Sequence, residues 1–442
     1  MEINIRSSSL VVVIFFWFYF MLSALLSTAK IAVWDDYLKQ KEREAIQDGL
    51  DAVHPDPYSV NDHIKLKVRE ALEDSHDNST RRSLRKYHGP CLATNPIDRC
   101  WRCDPNWAKN RKKLVKCSLG FGRRTLGGLH GRYYVVTDGS DDDLINPKKG
   151  TLRHAVLQNK PLWIIFKSDM VIRLQQELMI TSYKTIDGRG FNVHIAFGCQ
   201  MSIQFAKHII IHGLHIHDII QGNGGMIRDD YLHYGQRAMS DGDGISVFQS
   251  THIWIDHNSL YNCIDGLIDV IQASTAITIS NNHLTRHDHV MLFGASDQYQ
   301  PDEKMQITVA FNHYGKGLIQ RMPRCRLGFF HVVNNDYTHW IMYAIGGSQN
   351  ATIISEGNRY IAPDDINHKE VTHRTNPLDP WHNWKWRSHK DKMKNGAFFV
   401  QSGTEPQRHL LKQDIIESKS GSYAGRLTRF AGTLNCKVNS PC

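Results

Sequence analysis

Five stretches decide the fold: His252-Ile-Trp-Ile255 with Asn258 behind it, Ala276-Ile-Thr-Ile279 with Asn282, Gln306-Ile-Thr-Val309 with Asn312, His331-Val-Val333 with Asn335, and Thr352-Ile-Ile354 with Asn358. Each is a short β-branched run bounded by polar residues, the mark of a strand. The asparagines stand 24, 30, 23 and 23 residues apart. Trp163-Ile-Ile-Phe166, Thr185-Ile186 and His208-Ile-Ile-Ile211 extend the series toward the N-terminus, with Gly188 and Gly213 expected where the asparagines stand later. A period near 23 with variable insertions is a repeat signature. Coils of that length without a long helix predict an all-β, single-stranded parallel β-helix, its strands stacked on their counterparts in neighbouring coils. An asparagine at a bend can then hydrogen-bond the coils on either side. A β-sandwich with asparagines at ordinary turns would show shorter and less regular spacing.

Around this repeat, the 442 residues are 41% hydrophobic and 22% charged with 32 Gly and 14 Pro, which excludes a disordered or collagen-like chain. The 53 Lys and Arg against 44 Asp and Glu leave a net charge of +9, favouring a polyanionic partner: nucleic acid, anionic membrane or acidic polysaccharide. Arg6, the apolar run Leu10 to Leu26 and the small residues Ser27-Thr28-Ala29 read as a secretory signal over 1–29, with an uncleaved anchor as the alternative. No later segment could cross a bilayer. Secretion disfavours nucleic acid and stable membrane association, and leaves an extracellular acidic polymer as partner.

Residues 30–88 form an N-terminal extension and linker, with amphipathic helices expected over Asp35 to Leu50 and Asp62 to Leu72 and a linker over Ser75 to Lys86. The repeating domain covers 89–442. Nine cysteines leave at least one thiol unpaired in an oxidising compartment. Cys91, Cys100, Cys103 and Cys117 crowd together as a disulfide staple; no second pair at zinc-finger spacing accompanies Cys100-Trp-Arg-Cys103. Cys436 and Cys442 would tie down the C-terminus, while Cys199, Cys263 and Cys325 sit in apolar surroundings. Asn78 and Asn350 lie in glycosylation sequons.

Two clusters could carry chemistry. In Ser240-Asp-Gly-Asp-Gly244, Asp241 and Asp243 share a side if the chain is extended, and Asp265 and Asp269 follow one coil later. Four residues of straight strand would hold that second pair about 13 Å apart, so the two cooperate only across a bend, which Gly266 permits. Carboxylates from adjacent coils without cysteine make a hard-cation site suited to Ca2+; turn and cap roles are the plainer alternative. The second cluster, Gln320-Arg-Met-Pro-Arg-Cys-Arg326, offers Arg321, Arg324 and Arg326 for carboxylate binding. Pro323 interrupts the strand, so alternation does not say which arginines face together, and a solvated basic edge is the alternative.

The chain also resembles the plant pectate lyases of the pollen-expressed, allergen-related type. The motifs are Trp254-Ile-Asp-His257, Asp265-Gly-Leu-Ile-Asp269, Ser274-Thr-Ala-Ile-Thr-Ile-Ser-Asn281, Gln320-Arg-Met-Pro-Arg-Cys-Arg326, His331-Val-Val-Asn-Asn-Asp-Tyr337 and Tyr343-Ala-Ile-Gly-Gly347. The resemblance implies a right-handed parallel β-helix, secreted to the plant cell wall as a monomer, that cleaves de-esterified pectin (polygalacturonate) by calcium-dependent β-elimination. Asp241, Asp265 and Asp269 are similar to the calcium ligands, with Asp243 assisting. Arg321 is similar to the catalytic arginine and Arg326 to the residue that grips a substrate carboxylate, with Arg324 beside it. Cys100 with Cys117, and Cys436 with Cys442, resemble the family's disulfides. The chain departs from the pattern at His289, where the family usually has Lys, and at Ala295, where His is common. His289 replaces a fixed positive charge in the substrate cleft by a pH-dependent one, and weaker affinity or a shifted pH optimum is expected.

Overall fold

The computed structural model describes residues 35–80, 91–375, 380–404 and 419–442, with backbone only over 74–80. The signal segment and the side chain of Asn78 lie outside the described residues. Three long sheets of ten, eight and nine strands, parallel throughout, wind round one apolar interior as a right-handed parallel β-helix. All eight β-branched runs of the sequence fall in the ten-stranded sheet, from Leu162–Phe166 to Thr352–Glu356.

The strand register explains why those runs are continuously apolar. Ile209, Ile253, Ile277, Ile307, Phe330 and Ile353 form one inward column, and Ile211, Ile255, Ile279, Val309 and Val332 a second. The residues between them point outward yet are also covered: Ile210 and Trp254 pack with Trp101, Trp107 and Cys117 of the segment that precedes the first coil. A sheet buried on both faces has no polar alternation. Thr278 and Thr308 of the same outward row accept hydrogen bonds from the backbone N–H groups of Gly122 and Phe121 at 2.9 and 3.2 Å.

Beside the second inward column runs the asparagine ladder. Asn258, Asn282, Asn312, Asn335 and Asn358 are fully buried, and the Oδ1 of each later residue accepts both the backbone N–H and the Nδ2 of the one before, at 2.7–3.1 Å. Each Nδ2 also donates to a main-chain carbonyl of the preceding coil. Asp391 ends the row by accepting from Asn358, and burial pushes its carboxyl up to about 7. The register corrects one expectation. Gly213 aligns with His257 and Asn281, one residue before the ladder, in a column of left-handed φ angles (75°, 53° and 54°) where the chain turns.

The N-terminal extension is two helices, α1 (Asp36–Ala52) and α2 (Pro57–Thr80), laid on the outside of the coils. Ile64 and Val68 of α2 are fully buried there, and Lys65 pairs with Glu356 at 2.7 Å. The expected linker from Ser75 is helical to Thr80, because once a helix is nucleated each further residue adds a hydrogen bond at little cost. Disulfides join Cys91 to Cys103, Cys100 to Cys117 and Cys436 to Cys442, leaving Cys199, Cys263 and Cys325 as thiols. Asn350 lies in the turn between strands Ile345–Ser348 and Thr352–Glu356.

One buried ion network fastens the covering segment. His257 sits between Asp256 (2.7 Å) and Asp98 (3.0 Å) of the short helix α3 (Pro96–Trp101), and Asp256 also pairs with His212. Burial opposes its charge, but the two carboxylates prevail and raise the imidazole to about 9.

Two outcomes follow from these contacts. Asn312→Ala strands several buried backbone and amide groups and should lower unfolding free energy by about 2 kcal/mol or more in urea titration. The folded pKa of His257 lies above its ordinary 6.5, so its contribution is complete below that pH and fades as pH rises through about 9. His257→Gln should therefore flatten the stability-versus-pH curve over that window.

Candidate active site

The eight-stranded sheet carries the site. Its register places Ser246, Asp269, Leu292, Arg324 and Gly346 in one column along the coils. With about 4.8 Å between strands, Asp269 and Arg324 stand two coils, or about 10 Å, apart.

Asp243, Asp265 and Asp269 come together: each offers a carboxylate oxygen within 4.8 Å of the others. Asp265 precedes the strand Ile268–Ile271 that holds Asp269, and the chain bends on either side of Gly266, at Ile264-Asp265 and Leu267, to bring them together. Gly266 matters by what it lacks, for a Cβ there would lie 2.1 Å from Oδ1 of Asp269. Asp243 accepts from the Gly266 N–H at 2.9 Å and Asp269 from the Leu292 N–H at 3.1 Å. Burial, then the charges of Asp243 and Asp265, hold the Asp269 carboxyl well above the usual carboxylate range. Three crowded acids that resist ionising together suit a divalent cation, which relieves the repulsion and replaces the lost water. Asp241 stands at the start of the same loop, outside this triplet. Gly242 between them has φ 93°, so the chain turns rather than running extended as the two-residue spacing assumed.

The arginines resolve in the same way. In the strand Arg324–Arg326 the middle residue, Cys325, is buried in the core, so Arg324 and Arg326 share the outer face. Burial and the charges of Arg326 and Arg321 lower the Arg324 guanidinium. Arg321 lies just before this strand with φ 61°, close enough to Asp269 for its charge to offset part of that acid's shift, and close enough to Tyr343 for its charge to act on that hydroxyl. Arg326 donates from Nε to Asp297 at 2.8 Å and from Nη1 to the Gly294 carbonyl at 2.6 Å. His289 faces Gln320 in a two-strand ladder, 3.8 Å from Asp265 and 3.7 Å from Asp288. Its neighbour His287 bonds the Asp265 carbonyl.

Sequence reasoning missed Tyr343 and Asp297. Tyr343 lies within a motif already singled out; Asp297 sits in a loop with no periodicity to mark it.

The site is thus a carboxylate triplet and outward-facing arginines on one sheet of a right-handed parallel β-helix. A family described as pectate lyase matches residues 172–383, and one described as pectate lyase, N terminus, matches 30–84. The chain is 59% identical to a pectate lyase of Lilium longiflorum, over 95% of its own length and 96% of that protein's. It belongs to the pectate lyase family. A pectate lyase of Zinnia elegans is 57% identical over 83% of this chain and 91% of its own. The solved structure of Jun a 1, the major allergen from cedar pollen, superposes with a TM-score of 0.74 at 46% identity, covering 77% of this chain and 99% of that one.

Gly266→Ala should displace the Asp269 carboxylate and weaken Ca2+ binding by about tenfold or more. Calcium titration of the purified protein, with circular dichroism to verify the fold, checks this.

Proposed function

We propose that the chain is a calcium-dependent pectate lyase, cleaving (1→4)-α-D-galacturonan by β-elimination to leave 4-deoxy-α-D-galact-4-enuronosyl non-reducing ends. The observation that carries this reading is the carboxylate triplet with the outward-facing arginines two coils further along the same sheet. Asp243, Asp265 and Asp269 would hold the Ca2+, with Asp241 adjacent. When bound, the ion supplies positive charge to a uronate carboxylate and so acidifies the C5–H beside it.

The chain's own residues do the rest. Arg326 grips a substrate carboxylate, Arg324 adds positive charge on the same face, and His289, beside Asp265, is a further substrate contact. Arg321 removes the C5 proton; the C–H electrons form the C4–C5 double bond as the C4–O bond breaks, and the departing oxygen keeps that pair and takes a proton from water. Arg324 and Arg326 lie close to Arg321 and add positive charge where the uronate carboxylate would sit. A hydrolase would need a carboxylate pair acting as acid and as base or nucleophile; here three carboxylates crowd at one point. Secretion to the cell wall and action as a monomer complete the reading.

Purified protein with polygalacturonate and Ca2+ should release unsaturated uronides, read by ultraviolet absorbance, and a chelator should abolish the signal. Arg321→Ala should lower kcat at least about a hundredfold. Binding of the polymer without unsaturated product would instead mark a non-catalytic pectin-binding protein, and chelator-resistant release of saturated ends would mark a hydrolase.

A further inference from the structure

An acid beside arginines that bind a polyanion opposes that binding unless it has a partner to hold. Asp297 is such an acid: its side chain is about one-third exposed, and it meets Arg326, whose own side chain is only 11% exposed. The carboxylate is built in from two sides. Its Oδ1 accepts from Arg326 Nε at 2.8 Å and from Ser348 Oγ at 2.6 Å. Ser348 is the register partner of Arg326 on the next coil, so three residues from three coils meet at one oxygen. On the other side, the Gly294 carbonyl accepts a hydrogen bond from Nη1 at 2.6 Å.

A guanidinium has five N–H groups in a rigid plane. Asp297 and Gly294 use one on Nε and one on Nη1, leaving three on the terminal nitrogens. The end edge of the fork is therefore the part still able to take a carboxylate with two parallel bonds. Without Asp297 the side chain regains rotamers that point the fork elsewhere, and ordering them again is a cost of each binding event.

We infer that Asp297, braced by Ser348, is a positioning residue that holds Arg326 with its terminal edge free for a uronate carboxylate. This rests on the reading of Arg326 as a substrate-binding residue. The contrary role for the same contact is blockade, with Asp297 occupying Arg326 in the substrate's place. The two roles predict opposite signs.

The test uses the full-length protein at saturating Ca2+. Asp297→Asn should raise KM for polygalacturonate about fivefold or more with kcat within about twofold, and leave the Ca2+ concentration for half-maximal activity unchanged. Ser348→Ala, which removes only the brace, should raise KM by a smaller factor. In an Arg326→Ala background, Asp297→Asn should add nothing further, since the two residues act as one unit. A KM that is unchanged or lower in Asp297→Asn, or a rise that persists undiminished without Arg326, overturns the assignment. Should the wild-type protein release no unsaturated product, the proposed activity fails separately. The affinity for trigalacturonate by calorimetry then decides the positioning role by the same comparison of variants.

Discussion

Everything in this protein depends on adjacent coils keeping one register. Parallel strands stack at about 4.8 Å, and a slip of one residue would turn every inward isoleucine outward. Two interactions prevent it. The inward columns from Ile209 to Ile353 interlock apolar side chains coil upon coil, and the ladder from Asn258 to Asn358 pins the same bend in successive coils with buried amide hydrogen bonds. The aliphatic columns are tolerant of small shifts. Amide hydrogen bonds are not, because a displaced buried N–H has no water to turn to.

Fixed register converts sequence distance into surface position. Asp243 and Asp269 are 26 residues apart yet lie in adjoining coils, and Arg324 is two coils beyond Asp269 on the same column. Carboxylates and guanidiniums on a rigid sheet keep their separation, as pre-organised charge stabilisation requires. The ten-stranded sheet is put to a different use. Its outer face is hidden beneath the Asn95 to Arg124 segment and the two N-terminal helices, anchored by the His257 network and by Lys65 with Glu356. The sheet that carries the acids and arginines thus faces another side of the cylinder.

The parts legible in the sequence were those with a local signature. Continuous β-branched runs identified the ten-stranded sheet because both of its faces are buried. The other two sheets went largely unread: strands such as His283–Thr285 and Thr372–Arg374 are three residues long and mostly polar, and exist only as members of a stack. The same limit applied at the site. Asp241 and Asp243 were read on an extended chain, and Gly242 turns it; Pro323 hid the alternation that Cys325 reveals once it is seen inside the core.

The sequence by itself determined the repeat, the strand-forming runs, the acids and arginines available for chemistry and the family's motifs, since each rests on residue type and spacing along the chain. Only the tertiary structure decided which acids meet, which arginines share a face, that Asp297 holds Arg326 and that the N-terminal extension packs on the cylinder. Those depend on φ angles at single residues and on register between coils, and neither leaves a trace in composition or period.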